Sequence, residues 1–147
     1  MSAHDAPLAV LGVMSASGAV GQASIEQYLG RRNNVRKVHS LFSTNGQATS
    51  IVLRFLLAPP KAASPQFDAV ADEQRRHQDI VFLNLTESRF NCALKFVVWF
   101  EHCRQAFANA AFYVVADDDT FIQLGHLEAD LRTLPADEYT MWGLVMW

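Results

Sequence analysis

The chain has little that would tie it to nucleic acid, a membrane or an oxidising compartment. Basic residues are not in excess: 12 Lys and Arg against 15 Asp and Glu give a net charge of −3. Nucleic-acid binding is excluded on that ground, because it rests on a large field of basic side chains. Long hydrophobic runs are lacking too. The longest, Ile51–Pro60, Phe96–Phe100 and Ala110–Ala116, fall well short of the ~20 residues of a membrane span. Cysteine is scarce. Cys92 and Cys103 lie in what reads as one helix, roughly 16 Å apart at 1.5 Å per residue, and so cannot bridge each other. They are expected as buried thiols, or one as the partner of a cysteine outside the chain. His102-Cys103 has no second pair at metal-ligand spacing, which argues against zinc. His4, His39, His77 and His126 are scattered and read as surface or core filler. Met1–Asp5 has no basic start and no apolar stretch, so no secretory signal is expected. Repeats and low-complexity tracts do not occur.

What is there is enough for one globular domain. Of 147 residues, 50% are hydrophobic and 18% charged, which excludes a disordered chain or a disulfide-stapled miniprotein. Leu8–Ser15 is a continuous apolar run and reads as a buried strand. Gly18–Leu29 reads as a helix ended by Gly30 and Arg31–Asn34, and Val35–Phe42 as an ambiguous short element. Ile51–Ala58 is a second buried strand, Phe67–His77 a surface helix and Asp79–Leu83 a third strand. Arg89–Phe107 is a helix whose Phe90, Ala93, Leu94, Val97, Val98 and Phe100 predict a wide buried stripe. Ala111–Ala116 is a strand too apolar for exposure, followed by a helix over about Leu124–Leu134 and a last strand over Tyr139–Trp147. Trp142 and Trp147 are expected in sheet packing rather than as sugar platforms. Strands alternating with helices predict an α/β fold with a largely parallel sheet.

Open parallel sheets bind ligands at the carboxyl ends of their strands, and two such ends carry suggestive chemistry. Ala16-Ser17-Gly18-Ala19-Val20-Gly21 is an A-x-G-x-x-G turn between strand and helix. It could bring a phosphate onto the helix N-terminus, or be a plain strand-to-helix turn. It misses the first glycine of the dinucleotide fingerprint. The second end is Asp117-Asp118-Asp119. Three adjacent carboxylates pinned after a buried strand repel one another and suit a hard cation, Mn²⁺ or Mg²⁺, which would bridge a diphosphate, or else form a solvated surface run. In extended backbone Asp117 and Asp119 point one way and Asp118 the other.

From Glu73 to Leu134 the chain resembles the β1,3-galactosyltransferase family, inverting glycosyltransferases that use UDP-sugars. The resemblance rests on Glu73, Asp79-Ile80, the run from Glu87 to Lys95, Trp99, Cys103 and FYVVADDDTFI. The tail ADLRTLPADEYTMWG is similar to trypanosomatid members. The resemblance implies a GT-A, Rossmann-like fold, with residues 1–147 forming a single, incomplete catalytic domain: the donor-binding part. It implies hexosyl transfer (galactosyl or N-acetylglucosaminyl) from a UDP-sugar to a glycan or glycoconjugate acceptor. It places the protein on the lumenal side of the Golgi membrane, acting in protein glycosylation. Asp117 and Asp119 would hold the metal. Ser15, Ser17, Lys95, Asp117 and Asp118 would bind the donor, and the catalytic base is expected outside the chain. Lys95 is a candidate for donor contact or for orienting the aspartates, or else a helix lysine with its head in water. Asn91 is expected to make a structural hydrogen bond. Asn84-Leu85-Thr86 is a glycosylation sequon.

Two departures remove expected positive charge. Ile25–Leu29 carries Glu26 where the family's Ile-Arg-x-Thr-Trp segment has Arg, and Val115 replaces a Lys two residues before the aspartates. Two other readings stay open. One is a catalytically inactive fragment. The other is an NAD(P)-dependent oxidoreductase, since VLGVMSASGAVGQ resembles the opening of semialdehyde dehydrogenases, with Asn91-Cys92 near the nucleophile.

Overall fold

A computed structural model of the chain describes residues 6–17, 24–43, 50–138 and 140–143. Four parallel strands form one sheet, β1 (Ala9–Met14), β2 (Ile51–Leu57), β3 (Ile80–Phe82) and β4 (Phe112–Asp117), in the order β3-β2-β1-β4. The helices are α1 (Ile25–Ser43), α2 (Pro65–His77), α3 (Cys92–Ala106, after a 3₁₀ turn over Arg89–Asn91) and α4 (Leu124–Leu131). The chain steps outward from β1 to β2 to β3, then returns to the far side of β1 as β4. Right-handed crossovers then put α1 and α2 on one face of the sheet and α3 on the other.

The side chains divide the same way. Leu11, Val13, Leu53, Phe55 and Leu57 pack with Val70 of α2, with Leu124, Leu127 and Leu131 of α4, and with Val35 and Val38 of α1. On the opposite face Val10 and Leu56 pack with Trp99 and Cys103 of α3. Covered on both faces, β1 and β2 are apolar almost throughout, as the uninterrupted runs predicted. Gly12 is needed where it stands: a Cβ there would lie 2.5 Å from the Trp99 ring.

Several boundaries differ from expectation. The first helix does not stop at Gly30. It runs through Gly30 and Arg31–Asn34 to Ser43 and absorbs the ambiguous Val35–Phe42 element, because Gly30 faces open space while Val35 and Val38 hold the far half on the core. Residues 18–23, with most of the A-x-G-x-x-G turn, lie outside the described residues. Most of the expected stripe over Arg89–Phe107 is turned outward: Phe90 of the 3₁₀ turn and Leu94, Val97 and Phe100 of α3 are exposed, Phe90 at 91%, while Val98 packs half-buried against the core. Lys95, Trp99 and Cys103 are the buried residues of that helix. β4 is a sheet edge whose apolar residues are only half-buried. The expected last strand is not seen at residues 140–143, where Trp142 is 52% exposed, and its other residues lie outside the described ones. Cys103 is buried and its thiol is pushed up to about 12 by that burial, whereas Cys92 is exposed.

Candidate functional site

Strand order reverses between β1 and β4, and the carboxyl ends of these two neighbours open the crevice in which such sheets receive ligands. Ser15, Ala16 and Ser17 leave β1 there, all buried, and the three aspartates leave β4 beside them. The backbone ties the two ends together through Asp118 N–H donating to the Met14 carbonyl at 3.1 Å. The side chains do so again, with Ser15 Oγ donating to Asp118 Oδ2 at 2.5 Å.

β4 ends at Asp117, and Asp118 and Asp119 lie in the turn after it, where Thr120 N–H donates to the Asp117 carbonyl at 3.1 Å. The extended backbone assumed for all three is therefore not seen. Asp118 turns inward, 7% exposed, while Asp117 and Asp119 face solvent. Loss of solvation, together with the negative charge of Asp119 and Asp118, raises the Asp117 carboxyl above its ordinary value. A cation at Asp117 would offset that repulsion. Among the described residues no group of three or more His, Cys, Asp or Glu side chains could by itself hold a metal ion. Two exposed carboxylates fit the other arrangement open to Mg²⁺ or Mn²⁺, in which one or two protein ligands are completed by substrate phosphates and water.

Three arginines of α1, which the sequence reading did not assign to the site, enter it. Arg31 Nη1 lies 3.2 Å from Asp118 Oδ1 and 3.8 Å from Asp119 Oδ2. Arg32, one residue on and buried, donates from Nη1 to Ser15 Oγ and to the Ala16 carbonyl, each at 2.9 Å. Its other nitrogens grip both oxygens of Glu73 on α2 at 2.9 and 2.7 Å. Arg36 lies 2.6 Å from Glu73 Oε1 and pairs with both oxygens of Asp79 at 2.7 and 2.8 Å. Burial alone would raise the Glu73 carboxyl, but the hydrogen bonds and charges of Arg32 and Arg36 outweigh it and hold it below its ordinary value. A chain of charges thus runs from the solvent-facing aspartates through Ser15 to the interior. Glu26 is exposed and Val115 packs against the α3-side core, while Arg31 and Arg32 supply cations at the strand ends. The signal was legible in principle, since Arg32 and Arg36 are spaced to share one helix face. It was hidden by ending the helix at Gly30.

Lys95 closes the site from the other face of the sheet. Its Nζ donates to the Ser15 carbonyl at 2.8 Å and to Glu87 Oε1 at 2.6 Å. The other Glu87 oxygen accepts from Ala58 N–H at the end of β2, at 3.4 Å. The lysine head is therefore buried and not in water, and since its partners are the Ser15 carbonyl and Glu87 it does not orient the aspartates directly. Asn91 donates from Nδ2 to the Thr86 carbonyl at 2.8 Å, the structural bond expected of it. Asn84 and Thr86 of the sequon are exposed. Ser17, just after the end of β1, is buried.

Beside the aspartates, a cavity of about 250 Å³ opens between α1 and the turn after β4. Leu11, Val35, Val38, Leu53 and Leu124 make its apolar wall, and Arg31, Asp118 and Asp119 stand along its lining. No helix of the described residues is long and apolar enough to cross a membrane.

A family model described as Galactosyltransferase matches residues 30–146. The match takes in Val35-Arg36-Lys37 and the aspartate corner, and leaves out Ile25–Leu29. The human N-acetyllactosaminide beta-1,3-N-acetylglucosaminyltransferase 2 is 30% identical over 114 residues, 76% of this chain and 28% of that protein. The Xenopus laevis lactosylceramide 1,3-N-acetyl-beta-D-glucosaminyltransferase B is 28% identical over 118 residues, 76% of this chain and 31% of its own length. The human UDP-GlcNAc:betaGal beta-1,3-N-acetylglucosaminyltransferase 8 is 36% identical over 94 residues, 60% of this chain and 23% of that protein. The chain thus spans less than a third of the length of the curated relatives it matches.

Proposed function

The chain belongs to the galactosyltransferase family, and from that premise we propose that it forms the donor-binding part of a UDP-sugar-dependent hexosyltransferase of GT-A type. The observation that carries this reading is the corner between β1 and β4. Ser15 and Asp118 lock the two strand ends together, and Asp117 and Asp119 are left exposed at that corner, with Arg31 beside Asp119. The relatives' printed names make a β1,3-linked N-acetylglucosaminyl transfer the first reaction to test, with galactosyl transfer second. The acceptor is a glycan or glycoconjugate, met on the lumenal side of the Golgi membrane.

Asp117 and Asp119 are the residues that would hold Mn²⁺ or Mg²⁺. Bound there, the cation would supply Lewis-acid neutralisation of the departing diphosphate. The protein's own residues have other tasks. Asp118 fixes the β4 end against Ser15, so the two outer carboxylates are presented from a backbone that cannot splay. Arg32 and Lys95 hold the Ser15–Ala16 backbone from opposite faces of the sheet, which sets the floor on which the donor rests. Ser17, the next residue, is a donor contact, as is the Ser15–Asp118 pair. The transfer is read as one inverting displacement, in which a carboxylate base takes the acceptor hydroxyl proton as the sugar–phosphate bond breaks.

Titration calorimetry of UDP into the chain, with and without Mn²⁺, tests the reading. UDP affinity rises with Mn²⁺, and Asp119→Asn abolishes the rise while leaving the thermal melt unchanged. UDP binding that is absent, or equally strong in chelator, contradicts it.

A further inference from the structure

Arg31 stands where two kinds of positive charge would compete. It is the cation that reaches Asp119 among the described residues, and its remaining contacts are Asp118 and the Tyr28 ring, whose centroid lies 5.4 Å from the guanidinium carbon. Its side chain is 37% exposed, whereas Arg32 next to it is 2% exposed and fixed by four hydrogen bonds. Asp118 would keep Ser15 as a partner without Arg31. Asp119 would lose a counter-ion.

From this we infer that Arg31 is a stand-in counter-ion and a phosphate-positioning residue. In the ligand-free chain it neutralises the aspartate corner; on loading it gives up Asp119 to the divalent cation and turns to the diphosphate oxygens. The inference rests on the donor-binding reading above. Its physical basis is that a guanidinium and a divalent cation repel each other and compete for one carboxylate. The diphosphate brings new negative charge within reach of a long, half-exposed side chain. The planar fork of Arg suits phosphate oxygens better than the point charge of Lys, and an exposed ion pair such as Arg31–Asp119 is weak enough to be exchanged.

The test is calorimetry on the chain and on Arg31→Ala and Arg31→Lys, titrating first Mn²⁺ alone and then UDP at saturating Mn²⁺. Arg31→Ala is expected to bind Mn²⁺ alone about two- to fivefold more tightly, because the competing ion pair is gone. It is expected to bind UDP about tenfold or more weakly, because charge-assisted hydrogen bonds to phosphate are lost. Arg31→Lys falls between the two in both titrations, and carries the test if the alanine variant melts early. Alanine is the best helix former, so α1 should hold. The opposite signs are the discriminating feature. Both affinities falling together would mean that Arg31 only props the corner, and would overturn the inference, as would no change in either. Failure of the unsubstituted chain to bind UDP with Mn²⁺ would overturn the donor-binding reading itself. UDP binding that is equal in the chain and in Arg31→Ala would overturn only the role given to Arg31.

Discussion

At the carboxyl ends of β1 and β4, Arg32, Glu73, Lys95 and Asp118 are buried; on the outer face of α3 and the turn before it, Phe90, Leu94, Val97 and Phe100 stand in solvent. The two regions reverse the ordinary placement of charge and apolar surface, for connected reasons. Buried charges persist when each has a partner and its spare hydrogen-bonding groups are filled, and here every one does: Arg32 with Glu73, Lys95 with Glu87, Asp118 with Ser15 and Arg31. Bringing Lys95 to the strand ends, with Trp99 over Gly12, fixes how α3 is rotated. That rotation turns most of the Phe90–Phe100 stripe outward. The contrast therefore teaches that the site sets the orientation of the helix, and that apolar periodicity alone does not.

The comparison breaks most visibly at Glu73. Glu73→Ala leaves the buried Arg32 guanidinium without its carboxylate, while Arg36 keeps Asp79, and is expected to cost about 3–5 kcal/mol, read as a drop in the urea midpoint. Because the native Glu73 carboxyl lies below its ordinary value, its stabilisation is present above the ordinary carboxylate range and is lost as pH falls. The gap between Glu73→Ala and the parent should accordingly close in acid. Gly12→Ala comes next. Its Cβ must displace the Trp99 ring, an overpacking cost of about 1–3 kcal/mol that thermal melts would report, with the largest change in tryptophan near-UV signal.

Asp117→Asn sharpens the electrostatic side with the opposite sign. A carboxyl raised on folding disfavours the native state once ionised, so the substitution is expected to stabilise the metal-free chain slightly at neutral pH, the effect being damped by solvent at this exposed position. The gain should vanish as pH falls through the carboxylate range, in melts run across pH 3–7. The smallest effect belongs to the other region. Val97→Lys, on the exposed face of α3, is expected to change stability by less than about 0.5 kcal/mol. A loss of several kcal/mol there would mean that the face is covered in solution.

Much of the fold was legible in the sequence. Continuous apolar runs marked the four strands because a parallel sheet covered on both faces leaves no alternation, and their boundaries fell within one or two residues. The α1 boundary was not, because Gly30 reads locally as a stop, while the contacts that override it come from Glu73 and Asp79, more than 40 positions away in the chain. The orientation of α3 failed for the same kind of reason, since it depends on Glu87 and on the absence of a side chain at Gly12. At the site, the burial of Asp118 between exposed Asp117 and Asp119 matches the alternation read from the sequence, but Asp118 and Asp119 stand in a turn, so tertiary partners, Ser15 and Arg31, set it rather than extended backbone. Arg31, Arg32 and Arg36 could not be assigned while their helix was cut short.

The most direct test of the account is an anomalous-difference map, collected at the manganese edge from crystals of the chain grown with UDP and Mn²⁺. The account predicts one strong peak between Asp117, Asp119 and the diphosphate. Ordered UDP in the crevice with no peak at that corner would contradict it.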